Sequence, residues 1–340
     1  MNPDRFHKIT RLYAGQRIAV IGDLCLDRYL EIDPSRQETS LETGLPVHNV
    51  VNVRSQPGAA GTIINNLSAL GVREIWPVAF GGVDGEGFEL AQALRKVTGV
   101  NLDYFLQTPA RRTFTYAKPL ILHPGRPPEE LSRLDQKNWS QTPSEVESFL
   151  IKAVHELAKK AEALILLDQV DAPGTGVLTA GVLRAIEQEI QDRPDWPVLA
   201  DSRHGFQSYP PVTFKMNRRE LAAWFNQGYE TGDEAIETAV RTLARRHGRP
   251  IFVTLAEKGL MGAAASGAID RVPALPVRGP IDIVGAGDSV SANLTTALLG
   301  GAGVREALEL AAAASSVVIH QLGTTGVATV GDLEKTLFSN

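Results

Sequence analysis

The 340-residue chain is predicted to be an α/β protein: a doubly wound, mostly parallel sheet with helices on both faces and a small β-sheet lid. Three observations predict it. Short aliphatic or β-branched runs alternate with segments of helical spacing, the pattern of a sheet whose strands are joined by crossover helices. Several of those runs are apolar at successive positions, as strands covered on both faces must be. Two stretches, about 29–54 and 113–135, break the rhythm with alternating polar and apolar residues and no helical period.

In order, strands are expected at 17–22, 75–80, 163–167, 197–201, 212–216 and 251–254, and helices at 60–70, 88–97, 143–161, 177–191 and 234–246. Near the C-terminus, Val290, Leu294, Ala297 and Leu298 share one helical face, and an Ala-rich segment over 307–319 reads as its packing partner. In the irregular stretches, Val47-His48-Asn49-Val50-Val51-Asn52-Val53, Thr113-Phe114-Thr115-Tyr116 and Leu131-Ser132-Arg133-Leu134 read as half-buried strands. Brought together they would form a lid, a dimer surface, or both; ordinary peripheral hairpins are the alternative. The whole of 1–340 is read as a single domain with this discontinuous lid.

Hydrophobic residues make up 43% and charged ones 21%, normal for a globular protein with a large core. The net charge of −5 offers no footprint for nucleic acid or an anionic membrane. One cysteine, Cys25, excludes an intrachain disulfide and suits a reducing compartment, and no apolar signal core or membrane span is visible, so a cytoplasmic location is expected. The seven histidines lack the spacing of a metal cluster.

The chemistry concentrates in Asp282-Ile283-Val284-Gly285-Ala286-Gly287-Asp288, which opens the long C-terminal helix. Three small residues let an anion approach the backbone closely, and the helix aims its unpaired N–H groups and positive dipole end at the same point. A carboxylate such as Asp288 repels phosphate, so its presence needs a reason. Proton abstraction from an attacking hydroxyl is one; capping the helix is the other. In an open parallel sheet ligands sit beyond the carboxyl ends of the strands. The polar residues there are Asp23, Asp27, Asp84, Asp168, Asp201, Asn217, Glu220 and Thr254, a ring of acids that suits a Mg²⁺–nucleotide reaction, although any one alone reads as a cap or turn.

These residues make the chain similar to the PfkB/ribokinase family of sugar kinases over nearly its whole length. The family's Asp-Thr-x-Gly-Ala-Gly-Asp signature stands here as Asp282 to Asp288. Its Gly-Gly sugar-binding segment is matched more loosely by Pro57-Gly58-Ala59-Ala60-Gly61-Thr62, its Asn-x-x-Glu element by Asn217-Arg218-Arg219-Glu220, and its nucleotide-binding strand end by 253–259. Gly22 to Tyr29, Leu45-Pro46-Val47, Ser132-Arg133-Leu134-Asp135 and Leu322-Gly323-Thr324-Thr325 resemble in particular the kinase domain of bacterial enzymes that act on a heptose 7-phosphate. With the chain ending at Asn340, the nucleotidyltransferase activity that some of those enzymes carry is not expected.

The resemblance implies a ribokinase-like fold and ATP-dependent phosphorylation of a sugar or sugar-phosphate hydroxyl. Asp288 would be the base and Gly285, Ala286 and Gly287 the anion hole. Asn217 and Glu220 would hold Mg²⁺, with Thr254, Lys258 and Gly259 on the nucleotide. Asp27, Gly58, Ala59, Thr62, Arg133 and Asp168 would contact the sugar, and Asp282 a monovalent cation; a homodimer through the lid is implied too. Ala59 replaces the second Gly, Gly61 the second Ala and Thr62 the Asn of the family's loop, so a different acceptor pattern is expected, shifted by Gly61→Ala with Thr62→Asn. A nucleoside kinase of the same fold, or a non-catalytic sugar- or nucleotide-binding regulator, is the alternative.

Overall fold

The computed structural model describes residues 1–225 and 232–338. In chain order its strands are β1 (Arg17–Gly22), β2 (Leu24–Ile32), β3 (Glu38–Thr39), β4 (Pro46–Val47), β5 (Val50–Ala59), β6 (Glu74–Gly82), β7 (Phe105–Thr108), β8 (Phe114–Ile121), β9 (Glu129–Glu130), β10 (Leu134–Gln136), β11 (Ala163–Asp168), β12 (Val198–Ser202), β13 (Thr213–Asn217), β14 (Ile251–Thr254), β15 (Leu260–Ala263) and β16 (Ile269–Val272). The helices are α1 (Pro3–Thr10), α2 (Ala60–Ala69), α3 (Gly85–Arg95), α4 (Ser144–Leu157), α5 (Ala180–Asp192), α6 (Arg218–Trp224), α7 (Asp233–His247), α8 (Ala286–Leu299), α9 (Val304–Ile319) and α10 (Val330–Phe338).

Among the described residues the large sheet has nine strands in the order β16-β15-β14-β13-β12-β11-β1-β6-β7. It is parallel from β14 to β7, and the antiparallel hairpin β15–β16 extends one edge. β11 is buried through Leu167 because helices cover both its faces. On one side α2, α8 and α9 pack together; α4 pairs with α5 on the other, and α7 lies on β14 and β15. Buried α8 carries Ser291, Asn293, Thr295 and Thr296, each of which donates back to a carbonyl of the preceding turn, as Thr295 Oγ1 does to Ser291 at 2.9 Å, although Asn293 Oδ1 is left without a donor among the described residues.

The expected lid stretches share one five-stranded sheet, β10-β8-β2-β5 with β9 on β8. It reaches further into the chain than 29–54. β2 starts at Leu24, one residue after β1, and β5 runs to Ala59, because Leu24, Cys25 and Leu26 are buried and only Gly22 and Asp23 are needed to turn the chain. Asp27 and Gly58 are therefore strand residues rather than loop residues. Two helices are shorter than expected. The one read at 143–161 ends at Leu157, and the one read at 177–191 begins after Thr179, whose Oγ1 accepts the Val182 N–H at 3.2 Å.

Where β5 passes into α2, Ala59 has φ +53° and ψ −118°, a region that glycine occupies freely and an alanine only under strain. Its neighbour Gly58 has no room for a side chain: a Cβ would stand 2.7 Å from Asp27 Oδ2 and 2.8 Å from Cys25 Sγ. Ala59→Gly is therefore expected to stabilise the fold by about 1 kcal/mol, strain relief of about 1–3 kcal/mol outweighing the added freedom of the unfolded chain. Thermal denaturation checks this; a lower melting temperature in the variant would mean that residue 59 is not strained.

Candidate active site

The chain leaves β1 toward β6 on one side and returns to β11 on the other, so the strand order reverses between β1 and β11. Ligands of open α/β sheets sit in the crevice outside the carboxyl ends of such neighbours. Asp23 and Asp168 stand there. Asp23 is buried and accepts the N–H groups of Gln169, Val170 and Val177 at 2.8, 3.1 and 2.8 Å, so it clamps both ends of the loop between β11 and α5. Burial, then repulsion from Asp168, pushes it up to about 6 even with those donors. Asp168 accepts Ser202 Oγ at 3.1 Å, and burial raises it as well, against the pull of His204.

The first turn of α8 faces the same edge. Gly285 caps it at φ +83° with no side-chain acceptor for the helix amides. Ala286 N–H reaches Ile283 O at 3.2 Å, and among the described residues the N–H groups of Gly287 and Asp288 have no backbone acceptor. Beneath this turn Lys215, buried in the middle of β13, pairs with Asp201 at 2.7 Å; Ser291 Oγ shares its one proton between the same Asp201 oxygen at 3.1 Å and Gly287 O at 3.2 Å. A Cβ on Gly287 would lie 3.0 Å from Lys215 Nζ. Burial pulls Lys215 down, yet the carboxylates of Asp201, Glu220 and Asp288 hold it above the usual lysine value. Asp288 is pushed up to about 7, by burial first and by Asp201 second, with Lys215 and Arg203 opposing.

On the small sheet, Asp27 is buried beside Lys118, 3.6 Å away, and burial raises it against that cation. Arg133 pairs with Asp135 at 2.7 Å and stacks over the Tyr116 ring; its charge also acts on Asp27. Thr62, in the first turn of α2, places its methyl 3.2 Å from the point a Cβ on Gly285 would take, with Thr325 3.5 Å from it on the other side. Gln56 Nε2 donates to Thr325 Oγ1 at 2.7 Å, joining the small sheet to the loop beside Gly285. The expected exchange Gly61→Ala is corrected here: its Cβ would collide with the side chain of Pro57, so only Thr62→Asn is a usable variant.

Farther along the edge, Asn217 and Glu220 cap α6 reciprocally, Asn217 N–H to Glu220 Oε2 at 2.7 Å and Glu220 N–H to Asn217 Oδ1 at 2.9 Å. Asn217 sits in register with Thr254, and both line a cleft of about 250 Å³ with Arg218, Arg219, Leu255, Ala256 and Glu257. Lys258 is not among its lining residues and instead pairs with Asp233 at 2.9 Å. Gly259, at φ +89°, has a backbone reason to be glycine, since a Cβ would strike Val272 O and Ala274 N. Asp282 accepts the Val284 N–H at 3.0 Å and so shapes its own loop.

The site thus brings Asp288, Gly285–Gly287, Asp27, Gly58, Thr62, Asp168 and Glu220 to one edge, and leaves Lys258 and Gly259 apart. Sequence reasoning missed Lys215, Arg203, Lys118, Gln56 and Thr325. Only Lys215 left a signal: a lysine inside the apolar run 212–216 needs a buried partner, and Asp201 is the last but one residue of the neighbouring strand.

Comparison with known proteins agrees with this architecture. The profile of the pfkB family carbohydrate kinases matches residues 16–329. Relatives named "Bifunctional protein HldE" include that of Bradyrhizobium sp. (strain ORS 278), 30% identical over 326 residues, and that of Azorhizobium caulinodans, 31% identical over 315. These alignments take in 95% and 91% of this chain but only 64% and 62% of those proteins, so the chain spans less than two thirds of their length. Among solved structures, Arabidopsis thaliana ribokinase complexed with ribose and ATP has a TM-score of 0.68 at 18% identity, covering 96% of this chain and 99% of that one. Escherichia coli phosphofructokinase-2 with fructose-6-phosphate has 0.69 at 18%, covering 95% and 98%. With a ribokinase-like fold and a family match over nearly its whole length, the chain belongs to the pfkB family of carbohydrate kinases.

Proposed function

We propose that this chain transfers the γ-phosphoryl group of ATP to a hydroxyl of a sugar or sugar phosphate. The observation that carries the reading is Asp288, a carboxylate pushed up to about 7 beside the open first turn of α8, with no hydrogen-bond donor of its own among the described residues. A base is most effective when its pKa lies near the working pH. Asp288 would take the acceptor's proton as that oxygen bonds to the γ-phosphorus and the bond to the ADP oxygen breaks. The amides of Gly285, Ala286 and Gly287, with Lys215 beneath them, would stabilise the charge on the transferred group.

Bound Mg²⁺ would supply further charge neutralisation on the phosphates. It takes one or two carboxylates and keeps much of its water. Glu220, raised by burial and by Asp201 and oriented by Asn217, fits that mode, and no group of three ligating side chains is placed to hold a metal by itself among the described residues. Thr254 would line the nucleotide cleft with Asn217, whereas Lys258, paired with Asp233, and Gly259 lie outside that lining. Asp282 would orient loop carbonyls toward a monovalent cation. Asp27, Gly58, Ala59, Thr62, Asp168 and Arg133 would enclose the acceptor beneath the small sheet acting as a lid. β5 is an edge strand of that sheet with Val51 and Val53 exposed, which supports pairing with a second copy there. Among the described residues no helix is long and apolar enough to cross a membrane; that and a single, buried Cys25 suit the cytoplasm.

Thermal-shift measurements and ADP release with MgATP against heptose 7-phosphate, fructose 6-phosphate, ribose and nucleosides test the reading. A nucleoside as the one stabilising acceptor would favour a nucleoside kinase, and binding without ADP release a regulator. Asp288→Asn is expected to keep ATP affinity and lose about 10²–10⁴-fold in kcat; near-normal turnover would reduce Asp288 to a helix residue. In the native chain kcat/KM should fall as pH drops through about 7, because the base must be ionised.

The same shift affects stability. The folded state binds the Asp288 proton more tightly than the unfolded chain, so this contribution is present at acid pH and is lost as pH rises toward about 7. Asp288→Asn should therefore gain stability over the native chain at pH 8, by order 1 kcal/mol after allowance for solvent screening, and the gain should shrink below pH 5. Denaturation at both pH values measures it, and a gain that grew on acidification would contradict the assignment. Thr62→Asn is expected to change the ranking of acceptors with ATP affinity within about threefold; an unchanged ranking would remove Thr62 from the acceptor site.

A further inference from the structure

Arg203 has no role in the reading above, although its place is unusual. It follows β12 directly and lies two residues beyond Asp201, the carboxylate that holds both Lys215 and Ser291 of α8. Its backbone is fixed: the Arg203 N–H donates to Asp168 O at 3.1 Å, Ser202 Oγ donates to the Asp168 carboxylate at 3.1 Å, and His204 N–H donates back to Ser202 Oγ at 3.1 Å. The mounting is rigid, but the side chain is exposed and, among the described residues, its guanidinium has neither an ion-pair nor a hydrogen-bond partner. Its neighbours Lys137 and Arg133 are by contrast committed to Asp135, and Lys118 to Asp27. At the carboxyl edge of the central sheet, directly after β12 and tied through its backbone to the switch-point acid, this arginine is available to an anion received by the cleft.

Resting on the kinase reading, we propose that Arg203 is a catalytic residue whose guanidinium binds the phosphoryl group in transit. Its charge already acts on Asp288, on Glu220 and on Tyr116 of the small sheet, three groups that surround the cleft from three different elements. As the acceptor oxygen loses its proton to Asp288 and bonds to phosphorus, and the leaving oxygen of ADP takes the electron pair of the broken bond, negative charge spreads over the equatorial oxygens. A planar, permanently charged fork suits those oxygens better than a point charge does. Lys215, buried and tied to Asp201, is set in place from below, whereas Arg203 is free to close from solvent once the nucleotide is bound.

The experiment compares the native chain with Arg203→Gln and Arg203→Lys, using MgATP and the best acceptor of the panel. Arg203→Gln is expected to lower kcat by about 10²–10³-fold, the usual cost of removing one donor to the developing charge, with Arg203→Lys recovering part of the loss. Affinity for a non-hydrolysable ATP analogue, measured by calorimetry, should change by less than about threefold, while affinity for MgADP–aluminium fluoride with acceptor falls in step with kcat. The acid limb of kcat/KM should also move to higher pH, because a cation that favours ionised Asp288 has gone. Native-like melting temperature is expected, since the side chain is exposed. Unchanged kcat, or an ATP-analogue affinity that falls as far as kcat does, overturns the assignment. Native turnover with an unimpaired Arg203→Gln sinks this inference alone; no transfer by the native chain to any acceptor sinks the kinase reading and this inference with it.

Discussion

The ion pair between Lys215 and Asp201 is the constraint on which the site depends. A lysine in the centre of a buried parallel strand cannot stay charged without a partner, and removing one member of such a pair commonly costs about 3–5 kcal/mol. Here the partner is the last but one residue of the neighbouring strand, at 2.7 Å, and the same carboxylate oxygen accepts Ser291 of α8. One buried charge therefore joins β12, β13 and the helix whose first turn is the proposed anion site. It also explains the small residue at 287: the ammonium lies where a side chain would need room.

Around that pair the fold gathers acids of one sign at one edge, and their surroundings separate them by role. Asp23 and Asp288 are both raised chiefly by burial, to about 6 and about 7. Asp23 is met by three backbone N–H groups, so its charge is spent on holding the loop between β11 and α5. Among the described residues Asp288 receives no such donors and stands beside the Gly287 amide, which has no backbone acceptor. A carboxylate with its donors supplied is structural; one left without them at a binding edge is available for proton transfer.

The small sheet adds a second constraint, since it grows directly out of β1 with only Asp23 between. Its return strand ends in the strained Ala59, and from there α2 carries Thr62 against Gly285. Gln56 binds Thr325 on the other side of the same glycine. The proposed acceptor side and the loop at Gly285 are consequently one packed unit, and movement of the sheet would be felt at the first turn of α8.

Periodicity by itself determined the α/β class, six strands of the large sheet to within two residues at either end, and the central helices, because burial on both faces or on one stripe leaves a local pattern. The small-residue loop 285–287 with Asp288, the Asn217–Glu220 pair and the strand-end acids were also legible, since helix starts and strand ends carry local chemistry. The edge strand β7, the hairpin partners β15 and β16 and the early start of β2 were not legible, because β7 and β16 are only partly buried and carry no continuous apolar run, and a one-residue turn leaves no break in the pattern. Only the tertiary structure decided which acid is structural and which is free. It brought Lys215 under Gly287 and Gln56 to Thr325 across 269 residues of chain, and mounted Arg203 on Asp168. Those facts are differences in burial and in hydrogen-bond supply between residues distant in sequence, and no local pattern records them.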